Sequence, residues 1–170
     1  MKRVLSLNGK EKEKLKLLLE LIGGARRSDR ELAKALKTSQ PTITRKRTML
    51  EREGYIKEYT VIPELEKMGY EIVAVSFLAF SEASPDLTEK AREWCKKEPC
   101  VVYAAGGEGL GMHSIMVSAH QNYSSFSKLI IKLREDWQPN LKDVQSFLIG
   151  ISRRELVYKP FSFRYLSTEE

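Results

Sequence analysis

The residues best suited to chemistry lie between positions 39 and 53. If this stretch is a helix with Ile43 and Leu50, seven apart, turned inward, then Thr42, Thr44, Arg45 and Thr48 project outward and Gln40 stands at the leading end. Arginine can pair with guanine through two parallel hydrogen bonds, and glutamine likewise with adenine. Threonine can bond to either base or touch the methyl of thymine. Arg26, Arg27, Lys46, Arg47 and Arg52 flank this face with charge but no fixed outward geometry, which suits phosphate contacts, and Ser39 can offer a backbone N–H at the helix start. The chemistry predicted here is recognition of double-stranded DNA.

Other reactive side chains do not assemble. His113 and His120 are seven apart on one predicted strand, so they fall on opposite faces and cannot share a metal there; each is expected at an interface or a sheet edge. Cys95 and Cys100 have no second pair or nearby histidine to complete a zinc site, and two cysteines make no disulfide framework. Cys95 falls on a helical apolar face and is expected in the core. No nucleophile, base and orienting acid stand at a diagnostic spacing. Gly106-Gly107-Glu108-Gly109-Leu110-Gly111 sits between two predicted strands, whereas phosphate-cradling glycine loops lead from a strand into a helix, so it reads as a hairpin turn. The expectation is a non-enzyme with no catalytic residues, metal or cofactor.

The charge agrees with a nucleic-acid partner. Residues 1–60 hold 16 Lys and Arg against 8 Asp and Glu, a net of +8, and the rest of the 170-residue chain nets −2. A basic head on a neutral body is expected. No apolar run approaches the ~18 residues that span a bilayer, and Met1-Lys2-Arg3-Val4-Leu5 leads into a charged segment instead of a secretory core, so no membrane association and a cytoplasmic location are expected.

The elements that must position the outward face follow from spacing. Residues 10–22 pass from a lysine and glutamate run into Leu15, Leu17, Leu18, Leu19, Leu21 and Ile22, stopping at Gly23-Gly24, which predicts a first helix. Ser28 with Glu31 forms a capping box for a second helix with Leu32, Ala33 and Leu36 on its apolar side. Ser39 and Pro41 start the third after only Thr38, giving a helix-turn-helix. Residues 55–62 are predicted as a strand. Beyond a polar connector, residues 71–80 make a strand apolar on both faces, with Ile72, Ala74, Leu78 and Phe80 on one and Val73, Val75, Phe77 and Ala79 on the other. Helices follow on Leu87, Ala91, Trp94 and Cys95 and on Phe126, Leu129, Ile130, Leu133 and Trp137, with strands at 100–105, 112–120 and 144–151. The order β-α-β-β-α-β is the ferredoxin-like arrangement, so the fold class is α+β: a helix-turn-helix domain at 1–60, a linker at 61–70, and a ferredoxin-like effector and dimerisation domain at 71–170. Two helices cover only one sheet face. The other is covered by a second copy of the chain, or by residues 156–166 with alternating Phe161, Phe163 and Tyr165.

Glu31-Leu32-Ala33-Lys34, the third helix, Gly54-Tyr55-Ile56-Lys57-Glu58-Tyr59-Thr60-Val61-Ile62 and Lys67-Met68-Gly69-Tyr70 together resemble the feast/famine (Lrp/AsnC) family of prokaryotic transcription regulators, especially its archaeal members. The likeness covers about residues 10–150 in architecture and is close in motif over 28–70. It implies an N-terminal helix-turn-helix joined by a strand to a βαββαβ effector domain, a homodimer or higher oligomer, and a small-molecule effector at a subunit contact bordered by the glycine-rich turn. Gly107, Glu108, Gly109 and His113 are the residues so implied. Three departures stand out: Leu7-Asn8-Gly9-Lys10 replaces an aspartate-bearing motif, Arg47 takes an aliphatic core slot, and Gly107-Glu108-Gly109-Leu110 lacks the aspartate of a Gly-x-x-Asp pattern. Ordinary amino acids are therefore expected to be poor effectors, and Arg47 is expected to reach outward along its stem to a phosphate. The function implied is a DNA-binding transcription regulator. The alternatives are an architectural DNA-coating protein and an enzyme like the siroheme decarboxylases of haem synthesis, which look similar in their two domains.

Overall fold

The computed structural model describes residues 9–81, 84–151 and 157–167; Met1-Lys2-Arg3-Val4-Leu5, Leu7-Asn8 and Leu156 lie outside the described residues. The described parts of Met1–Ile62 and Pro160–Glu170 form one compact unit, and Pro63–Lys159 the other.

The first unit is built on α1 (Gly9–Gly23), α2 (Asp29–Ala35) and α3 (Gln40–Arg52). Its helix ends are set by the caps. Ser28 Oγ accepts from the Glu31 N–H at 3.3 Å while the Glu31 carboxylate accepts from the Ser28 N–H at 2.7 Å, which satisfies two donors that helix geometry leaves unpaired. Lys37, at φ 51°, turns the chain sharply into Ser39, whose Oγ accepts from the Thr42 N–H at 3.3 Å. Leu17, Leu21, Leu32, Ala33, Ile43 and Leu50 form the core, with half-buried Leu18, Leu36 and Ile56 packed on it. Gly54 closes α3 at φ 75°, a conformation that costs other residues a Cβ clash.

Residues 55–62 do not form the predicted strand. Tyr55 and Ile56 both donate their N–H groups to the Leu50 carbonyl, at 2.9 and 3.2 Å, and Lys57 to Ile62 has no regular secondary structure and no ladder partner among the described residues. The β-rich composition was real, but a strand also needs a neighbour of matching register. Val61 and Ile62 are exposed.

The second unit has β1 (Ile72–Phe80), α4 (Pro85–Lys97), β2 (Val101–Gly109), β3 (Met112–His120), α5 (Tyr123–Trp137) and β4 (Leu141–Gly150) in an antiparallel sheet of order β2-β3-β1-β4. This is the βαββαβ arrangement expected. Leu78 and Met116 from the sheet meet Leu129, Leu133 and Trp137 of α5 in its core. Along β1 the parity of side chains settles which face is which. Ala74, Ser76 and Leu78 are buried, whereas Val73, Val75 and Phe77 are half-buried and lie in register with Ile149, Phe147 and Gln145 of β4 and with Ala119, Val117 and Ile115 of β3.

Four expectations need correction. The glycine-rich segment is mostly strand: β2 runs through Gly109, and only Leu110 and Gly111, at φ 55° and 71°, make the turn, as a two-residue hairpin of left-handed residues requires. β4 begins at Leu141, three residues before the apolar signal at Val144. His120 is no edge residue: it is buried at 2% exposure, its Nε2 lies 2.8 Å from Ser118 Oγ, and its ring meets Phe126 edge-on. Lastly, residues after 160 group with the helical unit instead of completing a 71–170 domain. The aromatic alternation there is overridden by a 3-10 turn at Phe163–Leu166 that packs on α1, where Gly23 makes room for Ser167; a Cβ at Gly23 would meet Ser167 Oγ at 3.0 Å.

Burial holds the His120 imidazole below its ordinary pKa. The unfolded chain therefore takes up a proton near pH 6.5 that the folded unit resists, and the stability present above that value is lost as pH falls towards the lower folded value. Urea unfolding at pH 7.5 and 5.5 should show the second unit weaker at pH 5.5. His120→Gln should remove that part of the difference; an unchanged pH dependence in the variant would count against it.

Candidate nucleic-acid interface

The outward side of α3 is polar and solvent-facing, as its spacing predicts. Gln40, Thr44, Arg45 and Thr48 are exposed and Thr42 is half-exposed, while Ile43 and Leu50 are fully buried. The hydrogen bonds divide these residues further. The Thr44 hydroxyl donates to Asp29 Oδ2 at 2.7 Å, the Thr48 hydroxyl back to the Thr44 carbonyl at 3.1 Å, and Thr42 Oγ1 shares a 2.8 Å bond with Ser39 Oγ. Thr44 and Thr48 can therefore meet a base only as acceptors or through their methyl groups. Gln40 and Arg45 keep every side-chain donor free among the described residues, on the leading half of the helix.

The flanking cations also separate. Arg26 and Arg52 are exposed and unpaired among the described residues, so they remain ready for phosphate. Arg27 pairs with Glu20, and Lys46 with Glu13 of α1. Ser39 is occupied as the cap of α3.

Arg47 does not reach out. Its Nε and Nη2 close on Asp29 Oδ1 at 2.8 and 2.5 Å, Nη2 also touches the Arg27 carbonyl at 3.5 Å, and its guanidinium lies over the Tyr59 ring at 5.9 Å. The Thr44 hydroxyl first, and the Arg47 guanidinium with it, hold the Asp29 carboxyl below its ordinary pKa. Asp29 thus ties the start of α2 to the middle of α3 and fixes how the outward side of α3 is presented. Tyr59 adds a bond from its hydroxyl to Glu51 at 2.8 Å. Asp29 and Tyr59 were both missed in the sequence. The partners of Asp29, Thr44 and Arg47, lie 15 and 18 positions away, beyond the reach of a local pattern.

Of the residues implied for an effector, Gly107, Glu108 and Gly109 lie exposed at the far end of β2, and a Cβ at either glycine would meet nothing within 4 Å. His113 is elsewhere engaged: its Nδ1 accepts from the Phe80 N–H at 3.1 Å. Burial, and then the Glu98 charge, push both cysteine thiols up, away from reactive thiolate. Among the described residues no group of three or more His, Cys, Asp or Glu is placed to hold a metal ion, and no helix is long and apolar enough to cross a membrane.

Residues 14–57 match the family described as winged helix-turn-helix DNA-binding. Uncharacterized HTH-type transcriptional regulators of Pyrococcus abyssi and Pyrococcus furiosus are each 38% identical over 60 residues, which is 35% of this chain and 40% of either relative. The chain thus spans two fifths of the length of these curated relatives. Among solved structures, a Neisseria meningitidis transcriptional regulator in complex with L-methionine matches with a TM-score of 0.70 at 19% identity, covering 85% of this chain and 90% of that one. An AsnC family transcriptional regulator from Agrobacterium tumefaciens matches at 0.69 and 15% identity, over 80% and 87%. E. coli AsnC matches at 0.65 and 16%, over 80% and 89%. Residues 14–57 are therefore similar to winged helix-turn-helix DNA-binding domains, and 80–85% of the chain shares the fold of these regulators.

Proposed function

We propose that this chain is a DNA-binding transcription regulator of the feast/famine (Lrp/AsnC) family, reading sequence with α3 and working as a homodimer. The observation that carries the reading is the pair Gln40 and Arg45, exposed with free donors on the leading half of the second helix of a helix-turn-helix. The dimer rests on the sheet face of Val73, Val75, Phe77, Val117, Phe147 and Ile149, mainly apolar and interrupted by Gln145, with Phe147 68% exposed in the single chain. A two-fold axis there sets two α3 helices on successive major grooves of a near-palindromic site. A small effector acts by preferring one assembly state, and the chain works in the cytoplasm by binding and not by catalysis.

The direct test is selection of DNA by the purified protein from a random pool. Enrichment of a two-fold symmetric motif supports the regulator, and uniform recovery at high affinity supports an architectural coat instead. Arg45→Ala is expected to cost about 1–3 kcal/mol on the selected site and to relax the base preference at one position of each half-site. Arg52→Ala should weaken selected and random duplexes alike and lower the salt slope by about one. An equal loss on both kinds of DNA for Arg45→Ala would show that it touches only phosphate.

A further inference from the structure

Thr44 and Thr48 stand exposed on the outward side of α3, with hydroxyl groups that are already engaged. Thr44 Oγ1 donates to Asp29 Oδ2 at 2.7 Å and stands 3.2 Å from the Gln40 carbonyl, and Thr48 Oγ1 donates to the Thr44 carbonyl at 3.1 Å. Each oxygen therefore turns back toward the carbonyl four residues before it. Asp29 holds Thr44 firmly in this arrangement. A bond to a carboxylate is stronger than one between neutral groups, and the other carboxylate oxygen is closed by Arg47 Nε and Nη2 at 2.8 and 2.5 Å.

A threonine carries two heavy branches on Cβ, a hydroxyl and a methyl. With both hydroxyls turned to the backbone, the exposure of these two residues is carried chiefly by their methyl groups. Being four apart, they lie on one side of the helix one turn from each other, with Cβ atoms about 5–6 Å apart. A third methyl seats in that gap against both, since carbon atoms in contact prefer about 3.5–4.0 Å. The free donors stand around it, Gln40 one turn toward the helix start and Arg45 next to Thr44. Of the four bases, only thymine presents an apolar group in the major groove, its C5-methyl.

We infer that Thr44 and Thr48 are specificity-determining residues that together seat the C5-methyl group of one thymine in each half-site. This inference rests on the reading of α3 as the helix that enters the major groove. Thymine is selected as much by the hydroxyl protons the threonines no longer offer as by the methyls they keep. The competing chemistry is acceptance of an adenine or cytosine N–H by a threonine oxygen. That contact would be blind to the thymine methyl.

The motif selected from the random pool is remade with deoxyuridine in place of each thymine in turn, which deletes the methyl and keeps the base pair. One thymine of each half-site should weaken binding about fourfold when so replaced, the contribution of one buried methyl, and the others less than about twofold. Thr44→Ser combined with Thr48→Ser keeps both hydroxyls and deletes both methyls, so it should bind the thymine and deoxyuridine duplexes equally at that position. If that variant does not fold, Thr44→Val with Thr48→Val keeps both methyls without the hydroxyls and should retain the same penalty. A motif without thymine, a penalty below about twofold at every thymine, a penalty undiminished in the serine variant, or one lost in the valine variant would each overturn the inference. A motif that depends on Arg45 but shows none of these effects leaves the regulator reading intact. A pool without any motif overturns both.

Discussion

Lysine in place of Leu78 should unfold the sheet unit, whereas lysine in place of Val75 should leave it folded and separate two copies. The two positions are three apart on one strand and therefore on opposite faces. Leu78 is 5% exposed among Met116, Leu129, Leu133 and Trp137. An ammonium there loses its hydration with no partner, which costs several kcal/mol beyond the ~2–3 kcal/mol of lost leucine burial. That is comparable to the whole stability of a domain of this size, about 5–15 kcal/mol. Val75 stands between Val117 and Phe147 on the open face, where a lone chain can hydrate the charge. Circular dichroism should show native signal for Val75→Lys and loss for Leu78→Lys, and sedimentation of Val75→Lys should give a monomer. A Val75→Lys protein that stays dimeric at micromolar concentration would sink the sheet-face dimer.

Leu50→Ala is the companion test in the head. Leu50 is fully buried among Leu17, Leu32 and Ile43, and its carbonyl accepts the N–H groups of Tyr55 and Ile56, so it joins α3 both to the core and to the chain that follows. Large-to-small truncation at such a site costs about 2–5 kcal/mol. A head of this size has only roughly 3–9 kcal/mol in total. Binding to the selected site should therefore be mostly lost at 37 °C and partly recovered at 10–20 °C, where ordered structure is most stable. If affinity at both temperatures matched that of the wild type, α3 would not depend on this packing.

What was legible in the sequence was what local physics decides. Ser28 with Glu31, Ser39 with Pro41, and the seven-residue spacing of Ile43 and Leu50 each act within one or two helical turns, and the structure keeps all three. The βαββαβ order followed from changes of period in the same way. The rest depended on which distant groups meet. Arg47 looked like a phosphate contact because its partner, Asp29, sits on another helix. Residues 55–62 had strand composition without a strand partner, and His120 had an edge residue's chemistry in a core position. The glycines at 106–109 suggested a turn, yet β2 still pairs with β3 at Gly106 and at Gly109, with a shift of register between them, and turns only at Leu110. On the outward side of α3, spacing found the exposed residues, but the hydroxyl bonds that reduce its free donors to Gln40 and Arg45 show only in three dimensions.

The return of Phe163–Leu166 to α1 also bears on how the protein is made. A ribosome adds roughly 5–20 residues per second, so α1 emerges on the order of ten seconds before the turn that covers its flank. The three helices can close their own core at once, because Leu17, Leu32, Ile43 and Leu50 all precede residue 51. The flank of α1 stays bare while the entire sheet unit is synthesised and folds. Lengthening the segment that must close costs little, since loop entropy grows only with the logarithm of length. The delay is therefore one of time more than of stability, and it leaves a nascent surface open to chaperones until translation reaches the returning turn.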